Sequence, residues 1–123
     1  MHFTEMRRAK PMAPFARDLV AGSYDLIILD VLRDGPAYGY GIRRRIFEQS
    51  RHTLLWRVGT IYNVLHDLER RGFVASQWHG PKHGRQRRYY RLTARGLREW
   101  RAQLRQWRAF VSSVNALISK RSR

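Results

Sequence analysis

"GTIYNVLHDLERRGF", Gly59 to Phe73, is the stretch on which the reading of this chain turns. Ile61, Val64, Leu65 and Leu68 recur at helical spacing and predict one apolar stripe. Thr60, Asn63, His66, Asp67 and Arg70 fall on the other side, and Gly72 stops the helix. Such a helix either only closes a small core or also reads a partner with its polar side. The flanking sequence decides between the two.

Downstream, "FVASQWHGPKHGRQRRYYRL" predicts a β-hairpin. Phe73, Val74 and Trp78 lie on one strand-like run and Tyr89, Tyr90 and Leu92 on the other, with "HGPKHGRQ" as turn material. Thr93 then caps a long last helix that has Gly96 in its first turn. Upstream, Ser23 is the expected N-cap of a helix burying Tyr24, Ile27, Ile28, Val31 and Leu32, and "RDGP" ends it. A second helix is expected from near Tyr38 to Glu48, with Ile42, Ile46 and Phe47 inward. Gly41 within it costs roughly 1 kcal/mol against Ala, a sign of close packing or of a weak helix. "TLLWRV", with Leu54, Trp56 and Val58 alternating, predicts a short strand.

Three helices followed by a two-stranded hairpin predict an α+β, mainly α fold, the winged helix-turn-helix, whose third helix enters a DNA major groove. The expected organisation is a loosely held basic N-terminal arm over 1–16, the winged domain over 17–92, and a C-terminal helix with a basic tail over 93–123.

Charge points to the same partner. With 25 Lys plus Arg against 9 Asp plus Glu, the net charge is +16. A chain this basic meets a polyanion, most commonly nucleic acid. An anionic membrane surface is the competing polyanion. However, "LIIL" (Leu26 to Leu29) is the longest uncharged apolar run, and the N-terminus lacks the apolar middle of a secretory signal. No cysteine is present, so disulfides and thiolate ligands are excluded and a cytoplasmic, nucleoid-associated protein is expected. The histidines show no metal-ligand spacing and have no paired carboxylate beside them, so neither an enzyme nor a cofactor is expected.

Between Glu69 and Glu99 there is no acidic residue, while Arg70, Arg71, Lys82, Arg85, Arg87, Arg88, Arg91, Arg95 and Arg98 fall in that interval. Arginine forks bind phosphate oxygens, which gives grip without sequence choice. Choice is expected from the polar side of the Gly59–Phe73 helix. Asn63 either reads adenine bidentately or bonds backbone at the helix start. Tyr62 either reaches a phosphate or packs with its hydroxyl at the rim, and His66 and Arg70 share the exposed side.

In the last helix Leu97, Trp100, Leu104, Trp107, Val111, Val114 and Ile118 alternate steps of three and four. That is the seam of a helix packed along another helix, and a homodimer would cover the part overhanging a small body.

Three stretches, "GPAYGYGI" (Gly35–Ile42), "GTIYNVLHDLERRGFV" (Gly59–Val74) and "GRQRRYYRLTARG" (Gly84–Gly96), together resemble the PadR family of bacterial transcriptional regulators. The resemblance is to its short members with one C-terminal helix, and "WRAFVSSVNALI" around Trp107 adds weaker support. It implies a dimeric winged helix-turn-helix repressor on a pseudo-palindromic operator. It also implies Tyr38, Thr60 and Tyr62 at the DNA face and Arg85, Arg87 and Arg88 as wing basics. In some short relatives a tryptophan in the Trp107 region lines a dimer pore where flat aromatic compounds stack. Trp107, with Trp100 or Phe110, either does so here or belongs to a dimer core that touches no ligand. Two departures stand out: Gly41 where the family has an acidic residue, and Asn63 where it has proline. The sequence therefore supports a regulator of double-stranded DNA, with a nonspecific architectural nucleic-acid binder as the alternative.

Overall fold

The computed structural model describes residues 22–121. The expected arm over 1–16 and the end of the basic tail lie outside the described residues. The elements run α1 (Tyr24–Leu32), α2 (Gly39–Gln49), α3 (Val58–Arg70), β1 (Val74–His79), β2 (Arg87–Leu92) and α4 (Ala94–Arg121). Among the described residues, four helices with a two-stranded antiparallel wing make the mainly helical winged helix-turn-helix that the element order predicted.

The core lies where α1, α2 and α3 meet the wing. Ile28, Leu29, Ile42, Ile61, Leu65 and Leu68 are fully buried, beside Trp56 and Tyr90. Tyr24 and Ile27, expected inside, are only partly buried against this cluster, and Leu29 takes an interior place. Ser23 does stand at the N-cap of α1. It closes the first turn through its carbonyl, which accepts from the Ile27 N–H at 3.0 Å, and no side-chain cap bond forms.

The turn from α1 to α2 needs Gly35, whose φ of +122° suits glycine. Arg45 secures the turn from below. It donates to the Val31, Gly35 and Pro36 carbonyls at 3.2, 2.6 and 3.1 Å, placing a cation at the α1 C-terminus and on the turn that follows it. Gly41 does not loosen α2. The helix is continuous, and a Cβ there would meet the Tyr38 ring at 3.4 Å, near ordinary contact.

One expectation is corrected. "TLLWRV" is not a strand: residues 53–57 form an unpaired connection, and Val58 already opens α3. Consecutive residues Leu55 and Trp56 are both buried, which breaks the predicted alternation. A strand needs a neighbour for its backbone groups, and here the Trp56 carbonyl instead accepts from Arg43 Nε at 2.7 Å. The wing gains its extra pairing elsewhere. Ala37 forms an isolated antiparallel bridge with Tyr90, with N–H···O distances of 3.0 and 2.9 Å.

Gly72, at φ +84°, turns the chain from α3 into β1, and the wing register runs from Val74 opposite Leu92 to His79 opposite Arg87. Thr93 joins β2 to α4. Its hydroxyl donates to the Gly72 carbonyl at 2.7 Å and accepts from the Gly96 N–H at 3.0 Å, the expected cap. Gly96 is required there, because a Cβ would lie 1.9 Å from the Phe73 carbonyl oxygen. Trp100 then fastens α4 to α1. Its Nε1–H donates to Asp30 Oδ1 at 2.9 Å, and Arg33 stacks over its ring at 3.9 Å. With 28 residues, α4 is about 42 Å long.

Candidate nucleic-acid interface

A groove of about 390 Å³ opens between the start of α2, the exposed side of α3 and the wing. Its shape starts from one glycine. A Cβ on Gly39 would sit 2.5 Å from the Tyr62 ring, so glycine lets Tyr62 of α3 lie directly on the first turn of α2. His66 follows one turn along α3, its ring 6.3 Å from that of Tyr62. From the other side come Arg85, Arg87 and Arg88. Arg87 lies over the Tyr38 ring at 5.0 Å, and Tyr38 in turn packs against Tyr89 at 5.4 Å. Tyr90 forms the floor, and burial pushes its hydroxyl above the ordinary tyrosine range, an effect the nearby Arg88 opposes.

Of the residues singled out in the sequence, Tyr38, Tyr62, His66, Arg85, Arg87 and Arg88 are brought together in this groove. Lys82 is exposed in the loop between the strands. Arg70 is exposed further along α3 and pairs with Asp67. Thr60 and Asn63 are placed differently. They line a second, larger cleft of about 1070 Å³ with the start of α1 and the middle of α4. Thr60 is half-buried and Asn63 exposed. Helical phase explains the split: Tyr62 and Thr60 lie some 200° apart around α3, so one flank turns to the wing and the other to α4.

Three groove residues were not among those expected at the site: Tyr40, Trp78, which was assigned only to a strand, and Gln86. Tyr40 and Trp78 remain 51% and 61% exposed, unusual for residues this large. Period two on β1 was the available signal for Trp78. It shares a side with Val74 but stands four residues further out, past the edge of the core.

Trp107 and Phe110 face the larger cleft together with Tyr24, whereas Trp100 is not among its walls and is committed to Asp30 and Arg33. Arg71 ties two of that cleft's helices, α1 and α3, together. It bonds Asp25 of α1 at 2.6 Å and Asp67 at 2.6 Å, and the Asp25 bond, opposed by partial burial, raises its pKa further. Among the described residues no group of three His, Asp or Glu side chains could hold a metal ion, and no helix is long and apolar enough to cross a membrane.

The sequence profile of the PadR-like transcriptional regulators matches residues 28–102, more than half of the chain. The chain belongs to the PadR-like family. Family membership makes it a transcriptional regulator rather than an enzyme. Solved structures of transcriptional regulators share its fold. A transcriptional regulator from Clostridium thermocellum is 28% identical, with 82% of this chain and 95% of that one covered at a TM-score of 0.75. A PadR family regulator from Eggerthella lenta is 32% identical, with 82% and 86% covered at 0.70. Bacillus subtilis PadR, solved in complex with operator DNA, is 26% identical, with 65% of this chain and 45% of that one covered at 0.59.

Proposed function

We propose that this PadR-like regulator binds a pseudo-palindromic operator in double-stranded DNA as a homodimer and represses transcription. The observation that supports it most is the joint groove, where Tyr62 and His66 of α3 stand beside the exposed Arg85 and Arg87 of the wing. Helix side chains entering a major groove specify, while wing arginines grip the flanking phosphates. Bacillus subtilis PadR, which shares the fold, was captured on operator DNA. Asn63, exposed on the flank of α3 that turns to α4, is proposed as a second reader suited to adenine, with Thr60 one turn before it. Lys82 and Arg70 add phosphate contacts.

The deciding experiment is a titration against DNA upstream of its own gene, with unrelated competitor at physiological salt. Saturable binding that survives the competitor supports the proposal. Failure to enrich any motif from random duplexes would leave a nonspecific architectural binder. Replacing Arg85 and Arg87 together by Ala is expected to weaken matched and unrelated duplexes alike and to lower the salt slope by about two. An unchanged slope would remove the wing from the phosphate contacts.

The second part of the proposal is release by a small, flat aromatic effector. It is favoured by Trp107 and Phe110, 44% and 65% exposed on the large cleft. Titrating acridine should quench tryptophan fluorescence in the wild type, and Trp107→Ala should abolish the quenching. Equal quenching in both proteins would remove Trp107 from any effector site and leave DNA binding untouched.

A further inference from the structure

One wing arginine does not project outward. Arg88 lies on the same side of β2 as buried Tyr90, and its Nε–H donates to Ser76 Oγ at 2.8 Å. Its Nη2 donates to Glu69 Oε1 at 3.1 Å, and the Ser76 hydroxyl donates to Glu69 Oε2 at 2.5 Å. The three side chains close a ring in which both carboxylate oxygens are used. Ser76 belongs to β1, Arg88 to β2 and Glu69 to the last turn of α3, so the ring joins both wing strands to the helix. Arg88 and Glu69 are 37% and 29% exposed at their side chains, and the guanidinium lies 5.9 and 5.7 Å from the Trp78 and Tyr90 rings. A planar fork meets two acceptors at once, which a lysine ammonium on a flexible stem does not reproduce. Arg85 and Arg87, by contrast, are exposed.

We propose that Arg88, Glu69 and Ser76 form a positioning latch that fixes the angle between wing and recognition helix, and that Arg88 is not a phosphate contact. The inference rests on the DNA-binding reading above. A fixed angle matters only where helix and wing must fit a duplex together. Unrelated DNA, held through phosphates alone, tolerates a loose wing. The latch is therefore a specificity-determining element made of residues that touch no base.

The test uses a duplex selected from random sequence by the wild-type protein and a shuffled duplex of equal length, both titrated across salt. Arg88→Gln and Ser76→Ala are expected to lose roughly tenfold on the selected duplex while leaving the shuffled affinity and the salt slope near wild type. Glu69→Gln should lose as much on the selected duplex without weakening the shuffled one. The Glu69→Gln/Arg88→Gln pair should lose no more than either change alone, as members of one unit do. Equal weakening of both duplexes by Arg88→Gln, with the slope lower by about one, would make Arg88 a phosphate contact and overturn the latch.

Ser76→Ala removes only a hydroxyl and keeps the comparison available should a charge change prevent folding. Nuclear magnetic resonance of the Arg88 Nε–H separates this inference from the reading beneath it. If no duplex is enriched, the DNA reading falls, yet a slowly exchanging Nε–H that becomes fast in Ser76→Ala still establishes the latch. Fast exchange already in the wild type would overturn it.

Discussion

Gly96→Ala is expected to destabilise the protein by about 3 kcal/mol, at the upper end of what forced overpacking costs. The added methyl would lie 1.9 Å from the Phe73 carbonyl oxygen, and that atom is backbone. No rotamer change relieves the contact, so α4 must move away from the end of α3. In moving, it strains the Thr93 N–H bond to the same Phe73 oxygen at 3.1 Å and the Thr93 hydroxyl bond to Gly72 at 2.7 Å. Thermal unfolding should show a midpoint lower by about 10 °C or more. Gly59→Ala is the control: a Cβ there meets nothing within 4 Å, and alanine favours a helix. A Gly96→Ala midpoint within a few degrees of wild type would mean that α4 does not dock as described.

What the sequence made legible follows from how local each cause is. Gly35, Gly72 and Thr93 end or start elements through their own backbone or hydroxyl geometry, and each behaves as expected. The hairpin was equally legible, from two β-favouring runs around a glycine-rich turn. "TLLWRV" misled because β-propensity reports an extended backbone, whereas a strand requires a partner that only the assembled fold supplies. The same non-locality divides the polar side of α3. The 3.6-residue period shows that Thr60 and Tyr62 diverge, but not that α4 lies on one flank and the wing on the other. For Tyr40 and Trp78, local pattern does not show which large aromatic residues stay outside the core, and only the finished core shows that these two stand beyond its edge. Ser76 and Glu69 are ordinary polar residues in the sequence until the packing of α3 on the wing places them against Arg88.

The second large effect concerns the proposed homodimer. Val111→Asp with Val114→Asp is expected to convert it to a monomer in sedimentation and to weaken binding to a matched duplex by roughly a hundredfold or more. Trp107, Val111, Val114 and Ile118 continue the seam beyond the Trp100 anchor, and Phe110, Leu117 and Ile118 are 57–65% exposed. Two carboxylates in that seam would have to be buried unpaired on association, at several kcal/mol each. A dimer also makes the second half-site an intramolecular contact, which is where the affinity loss arises. Ser112→Asp with Ser113→Asp adds the same charge at neighbouring exposed positions off the seam and should leave a dimer. Dissociation by both pairs alike would assign the effect to charge rather than to the seam.

The Ala37–Tyr90 bridge has a consequence for how a duplex is measured. It stitches the segment entering α2 to the wing strand that leads into α4, and Tyr62 of α3 lies on the first turn of that same α2, so α3 and the wing stand like the two jaws of a caliper held at the start of α2. On the DNA-binding reading proposed above, little freedom would remain in that opening to be lost when DNA enters. The adjustment would then fall to the duplex, favouring sequences whose grooves already match the gap and rejecting stiff ones at base pairs the protein never touches.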